Sequence, residues 1–196
     1  MNELNRKLAQ HKIWLETAGK AGSQFNADEL DMKKCSQEDF KYLTASFLAD
    51  CDFSLMTLSG ALLDHSELYS CKMIESTLDN VSFEKVDARF LDFRGALIKE
   101  TTFHDADLDE IDFSGAVFEN TTFAGANLWN CNFTDAILTN VDFNETAFYD
   151  VVLNCVKINN PQNLDRMVNV SIIITQEGKN KRISGESAID WIKKHC

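Results

Sequence analysis

The sequence holds a single proline, Pro161, in 196 residues, and no apolar run approaching the ~20 residues that span a bilayer. With 44% apolar residues, such a chain is neither a proline-rich linker nor a disordered one, and no membrane partner is expected. Basic residues are scarce as well: 19 Lys and Arg against 31 Asp and Glu give a net charge of −12. That balance argues against direct binding to nucleic acid or to an anionic membrane, since both would repel the protein. Residues 1–12 lack the apolar centre of a signal peptide, so a cytoplasmic location is expected.

Catalytic signatures are missing too. There is no P-loop, GxGxxG, nucleophile elbow or HExxH. The six cysteines, Cys35, Cys51, Cys71, Cys131, Cys155 and Cys196, form no CxxC pair. The four histidines, His11, His65, His104 and His195, do not cluster with them. No zinc site, other metal or cofactor is expected, and in a reducing compartment the thiols stay unbridged. His104 stands beside Asp105, but neighbours on an extended chain diverge, so the pair is expected to be solvated rather than an acid–base couple. Nothing here points to an enzyme.

What is abundant is phenylalanine, 14 residues, and it falls on a period of five. From Leu43, every fifth residue through Ile158 is apolar; among them are Phe83, Phe93, Phe103, Phe113, Phe123, Phe133 and Phe143. Helices repeat at 3.6 and strands at 2, so neither sustains this period. Two residues before most of the large side chains stands a small or compact one, as at Cys51, Ala61, Ser66, Cys71, Ala106 and Ala126. Residues two apart in an extended segment point to the same side, so each unit presents one large and one small side chain inward. Two residues after the large one come Gly60, Asn80, Gly95, Gly115, Asn120, Gly125, Asn130 and Asn140, types that suit tight turns.

The A-(D/N)-(L/F)-x-x pattern, clearest at Ala106-Asp107-Leu108 and Ala126-Asn127-Leu128, resembles the pentapeptide repeat family. The resemblance implies an all-β fold, a right-handed quadrilateral β-helix with four pentapeptides per 20-residue coil, and six coils here. The sequence carries the period of 20 itself. One face would stack Leu43, Leu63, Phe83, Phe103, Phe123 and Phe143, and the opposite face Phe53, Met73, Phe93, Phe113, Phe133 and Leu153. Leucine and isoleucine dominate the other two. An earlier run, Phe25, Leu30, Cys35 and Phe40, steps by five in a different phase, with poor inward partners at Ser23, Asp28, Lys33 and Glu38. This reads as an irregular first coil with an insertion near Lys41.

Three segments follow: an N-terminal helical cap over 1–22, the solenoid over 23–160 with regular coils over 41–160, and a C-terminal cap or dimerisation segment over 161–196. In the first, Leu4, Leu8, His11 and Leu15 form one stripe of a helix over 3–18. In the last, Val168, Val170, Ile172 and Ile174 alternate as in a strand, and Glu177-Gly178-Lys179-Asn180 reads as a turn. Ser184 could cap a final helix bearing Ala188, Ile189 and Ile192. Both a monomer and a homodimer through this segment fit the sequence.

Residues 41–160 carry 20 acidic and 7 basic side chains, so the negative charge belongs to the solenoid. On the four faces, Glu67, Asp87, Asp107 and Asp109 project from one, Asp52, Asp92 and Asp112 from the next, with Asp50 and Glu110 at the corner between. Leu97, Val117 and Ile137 should form an outward apolar column, a possible interface, which the segment from Val170 to Ile174 could instead cover. Tyr69, Trp129 and Tyr149 make a sparser aromatic column. The reading is a non-catalytic protein-interaction scaffold with an acidic rod-like surface. The alternative, implied by the resemblance, is a DNA mimic that binds DNA gyrase or another topoisomerase.

Overall fold

The structure is a computed structural model that describes residues 3–29 and 32–195; Leu30 and Cys196 lie outside them. Strands of three residues recur every 20 residues and pair in parallel, Phe47 opposite Glu67 and Glu67 opposite Asp87. They build a seven-stranded sheet and a six-stranded sheet. Two further faces are joined by isolated bridges, through Asp52, Lys72, Asp92, Asp112, Asn132 and Val152 and through Leu62, Ser82, Thr102, Thr122, Asp142 and Gln162. The chain is a four-sided parallel solenoid.

Its corners share one backbone device. Every fifth residue from Ala45 to Asn160 has a positive φ, between 48° and 72°. Only four of these corners are glycine, so the fold imposes the left-handed conformation on side chains as large as Leu55 and Phe90. Glycine is required for space at Gly22, after the N-terminal helix, where a Cβ would stand 2.2 Å from the backbone carbonyl of Gln10.

Phenylalanine fills the interior in two stacks. Phe83, Phe103 and Phe123 lie face to face at centroid spacings of 4.9 Å, and Phe93, Phe113 and Phe133 at 5.1 and 4.9 Å. The stacks meet edge to face, as between Phe103 and Phe113 at 6.2 Å and 79°, a preferred aromatic geometry. The small inward slots are as anticipated: Cys51, Cys71 and Cys131 are buried with the alanines. Burial pushes the Cys131 thiol up to about 12. The buried hydroxyls of Ser66, Ser76 and Thr146 donate to carbonyls.

The first coil follows different rules from those expected. Asn26 pairs with Phe47, a step of 21, whereas later coils step by 20. Phe40 C=O still accepts from Leu62 N–H in that longer register, while Ala45 N–H donates to Asp64 C=O in the regular one. The additional residue therefore sits beside Lys41, within a 3-10 turn over Asp39–Tyr42. Phe25 and Phe40 are buried, but they occupy the slot that later coils give to small residues. Their inward neighbours are two residues after, Ala27 for Phe25, and Met32 is buried likewise; Ser23, Asp28, Lys33 and Glu38 are exposed. The size order within the pentapeptide is inverted here.

Helix α1 (Glu3–Glu16) buries Leu4, Leu8 and His11 against this coil. At the other end the strand Ser171–Gln176 lies on the last coil, with Val151 opposite Ile172, and returns through Glu177 and Gly178 as the strand Lys179–Ser184. Val168 precedes the strand and is exposed. Helix α2 (Glu186–Lys194) buries Ala188 and Ile192; Gly185 rather than Ser184 is its N-cap residue. The tail thus stacks on the end of the rod and does not fold back over Leu97, Val117 and Ile137.

Candidate interaction face

The seven-stranded sheet presents two outward columns whose membership follows from strand register. One runs Phe47, Glu67, Asp87, Asp107, Asn127, Ala147; the other runs Ala49, Tyr69, Arg89, Asp109, Trp129, Tyr149. Asp50, Phe90 and Glu110 turn the adjoining corner in the left-handed conformation. Carboxylates one coil apart stand at strand spacing, where like charges repel unless a cation joins them.

The seven anticipated acidic residues divide into two groups. Asp87 receives Arg89 Nε and Nη2 at 3.2 and 3.3 Å, and Asp92 receives Arg94 Nη2 at 2.7 Å. Asp52 has Lys33 at 3.8 Å. Burial opposes ionisation of Asp92, but the hydrogen bonds and charge of Arg94 outweigh it and hold the carboxyl below its usual range. Hydrogen bonding from Ser54 does the same for Asp52, aided by Lys33. Glu67, Asp107, Asp109 and Asp112 have no ion pair among the described residues. Asp107 accepts from Asn127 at 2.8 Å and Asp112 from Asn132 at 3.1 Å.

Exposed aromatics concentrate on the same face. Tyr69 and Phe90 meet edge to face at 5.4 Å, and Trp129 and Tyr149 stack at 3.6 Å. Phe47, Glu67, Leu68, Tyr69, Asp87 and Arg89 line a groove of about 370 Å³. Phe47 and Phe90, also exposed, join the outward aromatics Tyr69, Trp129 and Tyr149 expected from the sequence.

Two family models match, both described as pentapeptide repeats, one with nine copies over residues 98–142 and one with eight over 76–115. The chain is a pentapeptide repeat protein. No curated protein matches it. Solved structures similar to this pentapeptide repeat protein include one from the Arabidopsis thaliana thylakoid lumen, 23% identical over 60% of this chain and 76% of that one, with a TM-score of 0.31. HetL of the cyanobacterium Nostoc, involved in heterocyst differentiation regulation, is 14% identical over 87% and 98%, with a TM-score of 0.24. QnrB1, a plasmid-mediated fluoroquinolone resistance protein, is 12% identical over 79% and 93%, with a TM-score of 0.33.

In this pentapeptide repeat protein the other anticipated sites are modest. Leu97, Val117 and Ile137 do stack in one half-buried column on the six-stranded sheet. His104 and Asp105 do not diverge: the left-handed backbone at Asp105 turns its carboxylate to 3.5 Å from His104 Nε2. Nδ1 of that ring lies 2.8 Å from the Ala124 carbonyl, to which it donates. Both side chains are about half exposed. Among the described residues no group of His, Cys, Asp and Glu could hold a metal, and no helix is long and apolar enough to cross a membrane.

Proposed function

We propose that the protein is a non-catalytic interaction scaffold whose seven-stranded face engages a basic protein surface. The observation that carries this reading is the column of Glu67, Asp87 and Asp107 in register on a face with exposed Tyr69, Phe90 and Trp129. Aromatic side chains are enriched at interface centres, and fixed charge of one sign steers an oppositely charged partner. A rigid rod loses little entropy on binding, which suits a scaffold. Reversing Asp107 and Asp109 to lysine should abolish capture of the partner while leaving the β-rich circular dichroism spectrum intact; capture that survives refutes the assignment of this face.

A second reading rests on charge density. Residues 41–160 carry 20 acidic and 7 basic side chains, and six coils at ~4.8 Å make a rod of roughly 29 Å. One net charge per ~2.2 Å approaches the ~1.7 Å spacing of duplex DNA, the basis for mimicry toward gyrase or another topoisomerase. Internal pairing of Asp52, Asp87 and Asp92 lowers that density, so the scaffold reading stands first. Lysine at Asp87, Asp92, Asp107 and Asp112 should abolish gyrase binding in a pull-down with a supercoiling assay; unchanged binding removes mimicry.

A further inference from the structure

Two carboxylates on the rod recruit a guanidinium from two residues further along the same chain. Asp87 holds Arg89 through both oxygens, and Asp92 holds Arg94. At the equivalent place one coil earlier, Glu67 is followed two residues on by Tyr69, so an aromatic ring stands where Asp87 has its cation. Glu67 has no ion pair among the described residues. Phe47 lies one coil before Glu67 in the same column, and Phe90 packs its edge against Tyr69 at 5.4 Å.

These residues need not be there for folding. Phe47, Tyr69 and Phe90 are 36%, 46% and 42% exposed, while the core is complete without them. Phe90 also holds a φ of 58°, which disfavours a bulky side chain by about 1–2 kcal/mol. The groove of about 370 Å³ is lined by Phe47, Glu67, Leu68, Tyr69, Asp87 and Arg89. Arg89 is held by Asp87, so Glu67 is the lining carboxylate beside aromatic rings that has no ion pair among the described residues. A cation is attracted to such rings and to the acid together. Around it, Asp50, Asp107, Asp109 and Glu110 add negative charge, and Arg89 is the one basic residue within the seven strands of that sheet.

We propose that this groove binds an arginine side chain presented on an extended segment of a protein partner, its guanidinium against Glu67 and the Tyr69–Phe90 pair, as Arg89 sits against Asp87. The proposal deepens the scaffold reading and rests on it. Arginine fits better than lysine because its planar fork bonds a carboxylate while stacking on a ring.

The test uses the full chain and a fluorescein-labelled octapeptide of alternating serine and arginine, read by fluorescence anisotropy. Tyr69→Ala and Phe90→Asn should each weaken binding about two- to fivefold, and Glu67→Gln by a similar factor or more. Asp79→Asn, on the six-stranded sheet, should leave it unchanged. Phe90→Asn relieves backbone strain, so its loss of binding does not come from unfolding. A serine–glutamine octapeptide should not bind. Equal losses from Asp79→Asn and Glu67→Gln would show diffuse charge attraction and overturn the groove while leaving the scaffold reading standing. Binding of the glutamine peptide, or of cellohexaose in place of either peptide, overturns the arginine assignment.

Discussion

Individual residues carry this fold unequally. Phe113 stacks on Phe93 and Phe133 and meets Phe103 and Phe123 by its edge, so it ties both aromatic columns together. Phe113→Ala should cost about 3–5 kcal/mol, measured as the shift in urea unfolding. Corner residues act in the opposite sense. Leu55 is 71% exposed at a φ of 63°, burying little while holding a conformation that leucine resists. Leu55→Asn should raise stability by about 1 kcal/mol, seen as a higher urea midpoint. The inward residues were legible in the sequence because each buried slot is filled at a fixed spacing. The outward column of Tyr69, Trp129 and Tyr149 was legible from the period of 20; Phe90 was not, because it breaks no period and its exposure depends on the corner backbone. His104 and Asp105 were misplaced for the same reason: alternation along a strand does not apply across a left-handed residue.

Among elements, the two ends are the least repetitive and the most specific. His11 is fully buried; its Nδ1 accepts from Phe25 N–H at 2.9 Å and its Nε2 lies 2.9 Å from Thr44 C=O. A backbone N–H can only donate, so the ring is the neutral Nε2–H tautomer. Burial holds its pKa below the usual 6.5, against the raising effect of the Thr44 bond. The unfolded segment therefore takes up the proton first, and the docking of α1 weakens as pH falls through and below 6.5. Hydrogen exchange over residues 3–16, corrected for intrinsic rates, should accelerate between pH 7 and pH 5, and His11→Asn should flatten that dependence. At the far end, Asp150 receives Arg182 and Ser171, Glu145 receives Arg166 at 2.8 Å, and Asp142 receives Asn163 at 2.7 Å. The outer edge of the strand Lys179–Ser184 has no strand partner among the described residues, and Lys179, Lys181 and Arg182 guard it by charge. Lys181→Ile should raise the mass seen by light scattering with protein concentration. The first coil was only partly legible: its steps of five were visible, but exchanging large and small slots leaves the period unchanged.

At the scale of the whole molecule, parallel stacking converts sequence period into surface. A residue's neighbours on the rod are 20 positions away, so charges scattered through the sequence gather into columns. The division of Asp52, Asp87 and Asp92 from Glu67, Asp107, Asp109 and Asp112 depends on whether Lys33, Arg89 or Arg94 reaches them, and that lies in side-chain geometry rather than in spacing. A rod whose interior is filled by stacked phenylalanine has its surface left for recognition, and the seven-stranded face is the part that departs most from a plain solvated wall. Photo-cross-linking tests this directly. With p-benzoylphenylalanine at Tyr69 on that face and, separately, at Val117 on the six-stranded sheet, native cells should yield a salt-sensitive cross-link to a protein from position 69 and none from position 117. Cross-links from position 117 alone, or from neither position, would contradict the account.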